Sequence, residues 1–424
     1  MDRGIDVKSR NTILLSLIYA IGIAVLLLST YPFFLLGQEK IIAIKGGTIQ
    51  TITKGVIENG VILIKDGRIA EVGSQIDIPS DAEVFDFHGK FIMPGVVSPD
   101  SNIGIRISEE DRMAAIQGSG AKNLANYPVI YSIYPEDPDY RLALMNGFTT
   151  LGISPPPEGI SGLGAVINPS GEKLIDILVK GKAFLKINVA VNTPFFNMLK
   201  KALEDGQRKL DAQKKKKQEE KEKAQKGKAK EKGKVEEEKE EETTSETTKV
   251  FMEVLEGKFP ILASCGAPSA ISHLLELISG YPKVKLVIRG GPYTFRAGNL
   301  LKEKKIPVIL EPRIYKILRW SLADSTNYVL KCQALGLKIA FQAPGAVQDQ
   351  IHLFDFLNEL YLHGVKKDVL LKGVTIIPAE LLGVDKLTGS LEKGKRADMI
   401  VFKDDPIENV PVIEKVILGG KFVQ

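Results

Sequence analysis

Asp100 and Asn102 stand two positions apart at the end of an apolar run and offer hard oxygen donors of the kind that Ca²⁺ or Mg²⁺ accepts. Two donors are too few for a cation site. Glu109, Glu110 and Asp111 follow on the next loop and would either complete one or simply lie in solvent. Ser264 and Cys265 end a second apolar run, a place suited to a nucleophile, but no histidine is spaced to activate either of them. Four histidines are present. His352, between Asp349 and Asp355, reads as a helix-surface residue, and His88, His273 and His363 fall away from the strand ends. The two cysteines, Cys265 and Cys332, lie in apolar surroundings and read as buried free thiols, and no zinc-ligand spacing is formed.

These residues need a scaffold to bring them together, and the stretch from Gly89 to Gly104 organises it. It holds a turn, a short apolar strand that stops at Pro94-Gly95, and a second apolar strand that ends in small polar residues. A chain leaves one β element and enters the first strand of a barrel in this way. Upstream, residues 39–93 alternate apolar and polar side chains around the hairpin turn Asp66-Gly67. Those strands alone are too few, and residues 385–424 supply strands around Gly394 and Gly419-Gly420 that would complete a small β-sandwich from both ends of the chain. Between the ends, residues 94–384 alternate short apolar strands (147–153, 261–264, 285–288, 306–310, 337–341) with helical periodicity, which predicts a (β/α) barrel.

Two segments lie outside this plan. Residues 12–37 are almost wholly apolar and uncharged, long enough to cross a bilayer of ~30 Å, and Arg3, Lys8 and Arg10 precede them. Residues 1–38 are therefore expected to be a tail with a transmembrane anchor, or a cleaved signal peptide, with the body outside the cytoplasm, anchored or else secreted or periplasmic. Residues 207–248 form a low-complexity charged tract, lysine-rich and then glutamate-rich, expected as a solvated insertion in a barrel loop or as a docking arm. The formal net charge of +5 comes mostly from such local runs, so a nucleic-acid surface is not implied.

The Gly89 to Gly104 run, Pro135 to Leu144 followed by Gly147-Phe148-Thr149-Thr150, Ser161 to Ile167 and the closing run from Pro378 to Gly383 together resemble the imidazolonepropionase-like amidohydrolases. The resemblance spans nearly everything from Lys40 to Gln424. It implies a metal-dependent hydrolase of non-peptide carbon–nitrogen bonds, in which the metal lowers the pKa of a bound water, polarises the scissile carbonyl, and an aspartate takes the proton. It also implies where the ligands belong. The paired histidines of the first strand fall on Asp100 and Asn102, a further histidine on Ser264, and the next at Gly290, after Arg289. The aspartate falls on Ala343 or Pro344, and Asn168 and Asn192 occupy plausible places for a bridging group. No imidazole stands at any of these positions.

The sequence thus predicts an α/β fold, a (β/α)8 TIM-like barrel with a composite β-sandwich, preceded by a transmembrane helix. Its site is degenerate at Asp100, Asn102, Ser264, Gly290 and Pro344, with no cofactor and no catalytic residue expected. Asp100, Asn102, Asn168 and Ser264 would offer a small ligand hydrogen bonds instead of coordination. The expected role is that of an inactive ligand-binding or partner subunit, in a homo-oligomer or paired with an active relative. The alternative is a hydrolase of cyclic amides or related bonds, with a divalent metal in a rearranged oxygen-ligand site.

Overall fold

The computed structural model describes residues 41–105, 122–157, 159–226, 244–312, 328–343 and 350–423. Two eight-stranded sheets carry the fold.

The first sheet contains β1 (Ile41–Gln50), β2 (Val56–Lys65), β3 (Arg68–Gly73), β4 (Glu83–Asp86) and β5 (Phe91–Pro94). It takes β14 (Met399–Phe402), β15 (Ile413–Leu418) and β16 (Lys421–Phe422) from the other end of the chain. Asp66 and Gly67 both have positive φ, 51° and 73°, which matches the right-handed twist of the β2–β3 hairpin. The two chain ends meet where β14 pairs antiparallel with β5, Met399 opposite Pro94 through Phe402 opposite Phe91. The far edge also returns, since Ile69 N donates to Lys395 O at 2.9 Å. Ile44, Ile62, Ile64, Ile92, Met399 and Val401 from both ends form one buried cluster, and neither half could bury it alone.

The second sheet runs β6 (Val96–Ser101), β7 (Phe148–Ile153), β8 (Ile160–Ile167), β9 (Leu178–Asn188), β10 (Ile261–Ser264), β11 (Leu286–Arg289), β12 (Val308–Leu310) and β13 (Ile339–Phe341), paired in that order. Its ends approach one another. Gln342, just after β13, accepts through Oε1 from the backbone N–H of Asp100 on β6 at 2.9 Å and from Ser98 Oγ at 3.1 Å. The sheet is barrel-like, but the strictly parallel (β/α)8 pattern needs a correction, because β8 runs antiparallel to both β7 and β9. The link from β7 to β8 is too short for a helical crossover, and a short link can join only antiparallel neighbours. From β9 to β13 all pairs are parallel, as expected.

A second correction concerns the membrane. No helix is long and apolar enough to cross a bilayer among the described residues, so the fold carries no transmembrane helix there. The apolar stretch 12–37 that suggested one lies outside the described residues.

The charged tract departs from a purely solvated insertion. A helix, Thr193–Lys226, runs into it and buries Phe195, Leu199, Leu203 and Leu210. Ser245 caps a second helix, Glu246–Leu255, by accepting from Thr248 N. The two helices pack closely at Gly206, where a Cβ would come within 3.1 Å of Phe251 Cβ. Residues 227–243 lie outside the described residues.

Candidate functional site

Alternation along the barrel strands builds the site. Phe184, Leu262, Val287, Ile309 and Ala340 belong to one buried apolar cluster, one residue from each of β9 to β13. Two positions further along each strand, on the same face, come Lys186, Ser264, Arg289, Glu311 and Gln342. An apolar layer is thus overlaid by a polar one at the C-terminal end of the parallel strands, the end where barrel sites form. On β6 the register breaks between Ser98 and Ser101, and Asp100 joins this polar layer.

A cavity of about 390 Å³ opens there, lined among others by Asp100, Asn102, Ser154, Lys186, Arg289 and Gln342. Lys186 Nζ lies 2.6 Å from Asp100 Oδ2, and each side chain is only 4% exposed. Arg289 Nε approaches the same oxygen at 3.3 Å, while its Nη2 reaches Glu311 Oε1 at 3.4 Å. Ser154 Oγ donates to Asp100 Oδ1. Burial by itself would raise the Asp100 pKa. The charges of Lys186 and Arg289 and the hydrogen bonds from Lys186 and Ser154 outweigh it and hold the carboxyl below its usual range. Asp100 is thus held as an anion between Lys186 and Arg289, while burial pushes the Lys186 pKa down against the pull of Asp100.

The expected site residues divide. Asp100 and Asn102 line the cavity, and Ser264 stands in the same polar layer with its Oγ buried and unpartnered among the described residues. Gly290 follows the inward-facing Arg289, with its own N–H bonded to Ile309 O, and a Cβ there would strike Thr294. Asn168 is elsewhere: its Nδ2 donates to Thr149 O at 2.7 Å and its Oδ1 accepts from Arg396, so it pins the barrel to the closing segment. Asn192 caps the helix that follows by accepting from Phe195 N at 2.9 Å. Pro344, Glu109, Glu110 and Asp111 lie outside the described residues.

Sequence reasoning passed over Lys186, Arg289 and Gln342 as site residues. A signal for Lys186 was available: an ionisable residue interrupts the apolar run Ala183-Phe184-Leu185-Lys186-Ile187, and period two puts it on the same face as Phe184. Burial pushes the Cys265 thiol up to about 11, which disfavours the thiolate a nucleophile needs. None of the four histidines lines the cavity. His352 pairs with Asp355 at 3.0 Å, His363 Nδ1 meets Glu359 O at 2.7 Å, and His273 packs on Phe196.

The resemblance implies a divalent metal, and the donor set bears directly on it. Among the described residues Asp100 is the one carboxylate that lines the cavity, and its oxygens are already held by Lys186, Arg289 and the Ser154 hydroxyl. A divalent cation at this carboxylate would meet two resident positive charges, so these residues do not fit one. Among the described residues no group of three or more His, Cys, Asp or Glu is arranged to hold a metal ion.

The amidohydrolase family model matches residues 349–423. An imidazolonepropionase from Geobacillus sp. (strain WCH70) is 27% identical over 96 residues, covering 20% of this chain and 23% of that protein. A dihydroorotase from Pelotomaculum thermopropionicum is 29% identical over 126 residues, covering 30% of this chain and 24% of that protein. The chain thus spans about a quarter of the length of the curated relatives it matches. Among solved structures, an amidohydrolase from Thermotoga maritima MSB8 superposes with a TM-score of 0.73 at 26% identity, covering 90% of this chain and 99% of its own. A prolidase complexed with N-methylphosphonate-L-proline gives a TM-score of 0.56 at 15% identity, over 90% and 99% of the two chains, which is a likeness of fold alone.

Proposed function

We propose that this chain, which resembles amidohydrolases in its closing segment and in its fold, is a catalytically silent member of that superfamily whose barrel-end cavity binds a small carboxylate-bearing ligand. One observation carries the reading: the ion pair of Lys186 Nζ with Asp100 Oδ2 at 2.6 Å, where the resemblance placed a metal ligand. The carboxylate that stands where the resemblance puts an imidazole is neutralised from within the protein, so it is spent on holding the strands together and not on holding a metal ion that could polarise a carbonyl or activate water. Among the described residues that line the cavity, Lys186 and Arg289 stand against Asp100, and Glu311, beyond Arg289, brings the four groups to neutrality. Arg289 is about a third exposed and is the group best placed to meet a ligand carboxylate through a two-pronged contact.

The test combines three measurements on the purified chain. Elemental analysis without chelators is expected to find no stoichiometric metal. Assays on cyclic amides and dipeptides with added zinc, manganese or magnesium are expected to give no turnover. A panel of small carboxylates is expected to raise the melting temperature, and Arg289→Gln to abolish the rise. Metal-stimulated hydrolysis that Asp100→Ala removes would overturn the proposal in favour of a hydrolase with an oxygen-ligand metal site.

A further inference from the structure

The other end of the barrel carries a second, unassigned cavity. The five consecutive parallel strands β9 to β13 enter the sheet from the same side, and a lysine stands at or near the foot of each. These are Lys180 within β9, Lys258 before β10, Lys285 before β11, Lys305 before β12 and Lys338 before β13. All five line one cavity of about 390 Å³, and Glu380 is the one carboxylate among its described lining residues. That volume falls within the range of small-molecule sites, ~300–1,000 Å³.

The charge in this cavity is poorly compensated. Lys338 pairs with Glu380, and Lys258 with Glu256 at 2.9 Å. Lys285 and Lys305 form no ion pair among the described residues. Lys180 is half-buried, and its Nζ donates to the backbone oxygen of Leu382 at 2.9 Å. Burial and the like charge of Lys285 both push its pKa down, against a weaker pull from Asp385. Like charges held around a concave, partly apolar floor of Pro260, Leu286 and Pro307 raise the free energy of the empty site. A ligand carrying several negative charges along a short chain would relieve that repulsion. Lysines, as rotatable point charges, suit phosphate oxygens that need no fixed planar geometry.

We propose that this cavity at the N-terminal end of the barrel strands is a binding site for an oligophosphate, either inorganic or the phosphate chain of a nucleotide. It lies apart from the carboxylate pocket. Lys180 and Lys186 share β9 six positions apart, about 20 Å of extended chain.

Isothermal titration of the full chain with tripolyphosphate and with ATP tests the assignment. The expected result is saturable one-to-one binding that weakens with added salt. The double variant Lys285→Gln/Lys305→Gln should lose affinity at least tenfold while its far-UV circular dichroism and melting temperature are kept, since both side chains are exposed. A variant with Lys214, Lys215, Lys216 and Lys217 changed to Gln should bind as the parent does, which separates the cavity from the charged helix. Equal affinity for the two probes identifies the phosphate chain as the recognised group, and tighter ATP binding adds the nucleoside. Absence of saturable binding, or binding that survives the cavity variant but not the helix variant, would overturn the proposal.

Discussion

At the scale of single residues, the chemistry of this molecule turns on Lys186, Asp100 and Arg289. Removing one member of a buried pair costs more than the pair itself contributes, because the partner is left charged and unpaired. Lys186→Met is expected to destabilise the chain by about 3 kcal/mol, the low end of the range for broken buried pairs, since Arg289 still compensates Asp100. The double variant Asp100→Leu/Lys186→Met should recover most of that loss, and urea unfolding of the two single variants and the double closes the cycle. Strictly additive losses would show that the ion pair is not coupled. The same carboxylate sets a pH dependence. The Asp100 pKa is lower in the folded chain than its ordinary value of 3.8. Its contribution is therefore fully present above the unfolded value and is lost as pH falls through the folded one. Urea midpoints taken from pH ~6 to ~2 should fall more steeply for the parent than for Asp100→Asn, and equal slopes would contradict the assignment.

At the scale of elements, the exit from β6 positions the site. Gly104 has φ of +79°, and a Cβ there would come within 1.8 Å of the Tyr140 hydroxyl, on the helix that precedes β7. Gly104→Ala is expected to cost about 1–3 kcal/mol from backbone strain and to displace Asn102 from the cavity rim. A melting temperature equal to that of the parent would refute this. The elements were unequally legible in the sequence. Strands β10 to β13 announced themselves as short apolar runs between helical stretches, and the Asp66-Gly67 turn fixed its hairpin through backbone geometry alone. The direction of β8 was not legible, because an apolar run such as Ile160–Ile167, buried on both faces, has the same composition whichever way it points. The charged tract misled in part. Leu210 is buried although it is flanked by Lys209 and Asp211, a local apolar anchor that composition averages away.

At the scale of the whole molecule, the first sheet joins the two chain ends. Deleting residues 390–424 would take β14 to β16 from that sheet and leave β5 without its antiparallel partner. Such a truncated chain is expected to lose cooperative thermal unfolding and to aggregate through the exposed edge. A sharp transition near the full-length melting temperature would show that the barrel stands without this closure.

What the sequence determined by itself is what depends on residue type and short-range periodicity. It carried the strands that close on one another from both chain ends, the alternation that builds the barrel, and the absence of histidine at Asp100, Asn102, Ser264 and Gly290. Tertiary structure alone decided which side chains fill those places. Lys186 meets Asp100 across 86 positions of chain, and Gln342 meets it across 242. Those meetings depend on the order and register of strands around a closed sheet, which no local pattern encodes. They are also what turn a carboxylate suited to holding a cation into one already held by the protein's own cations.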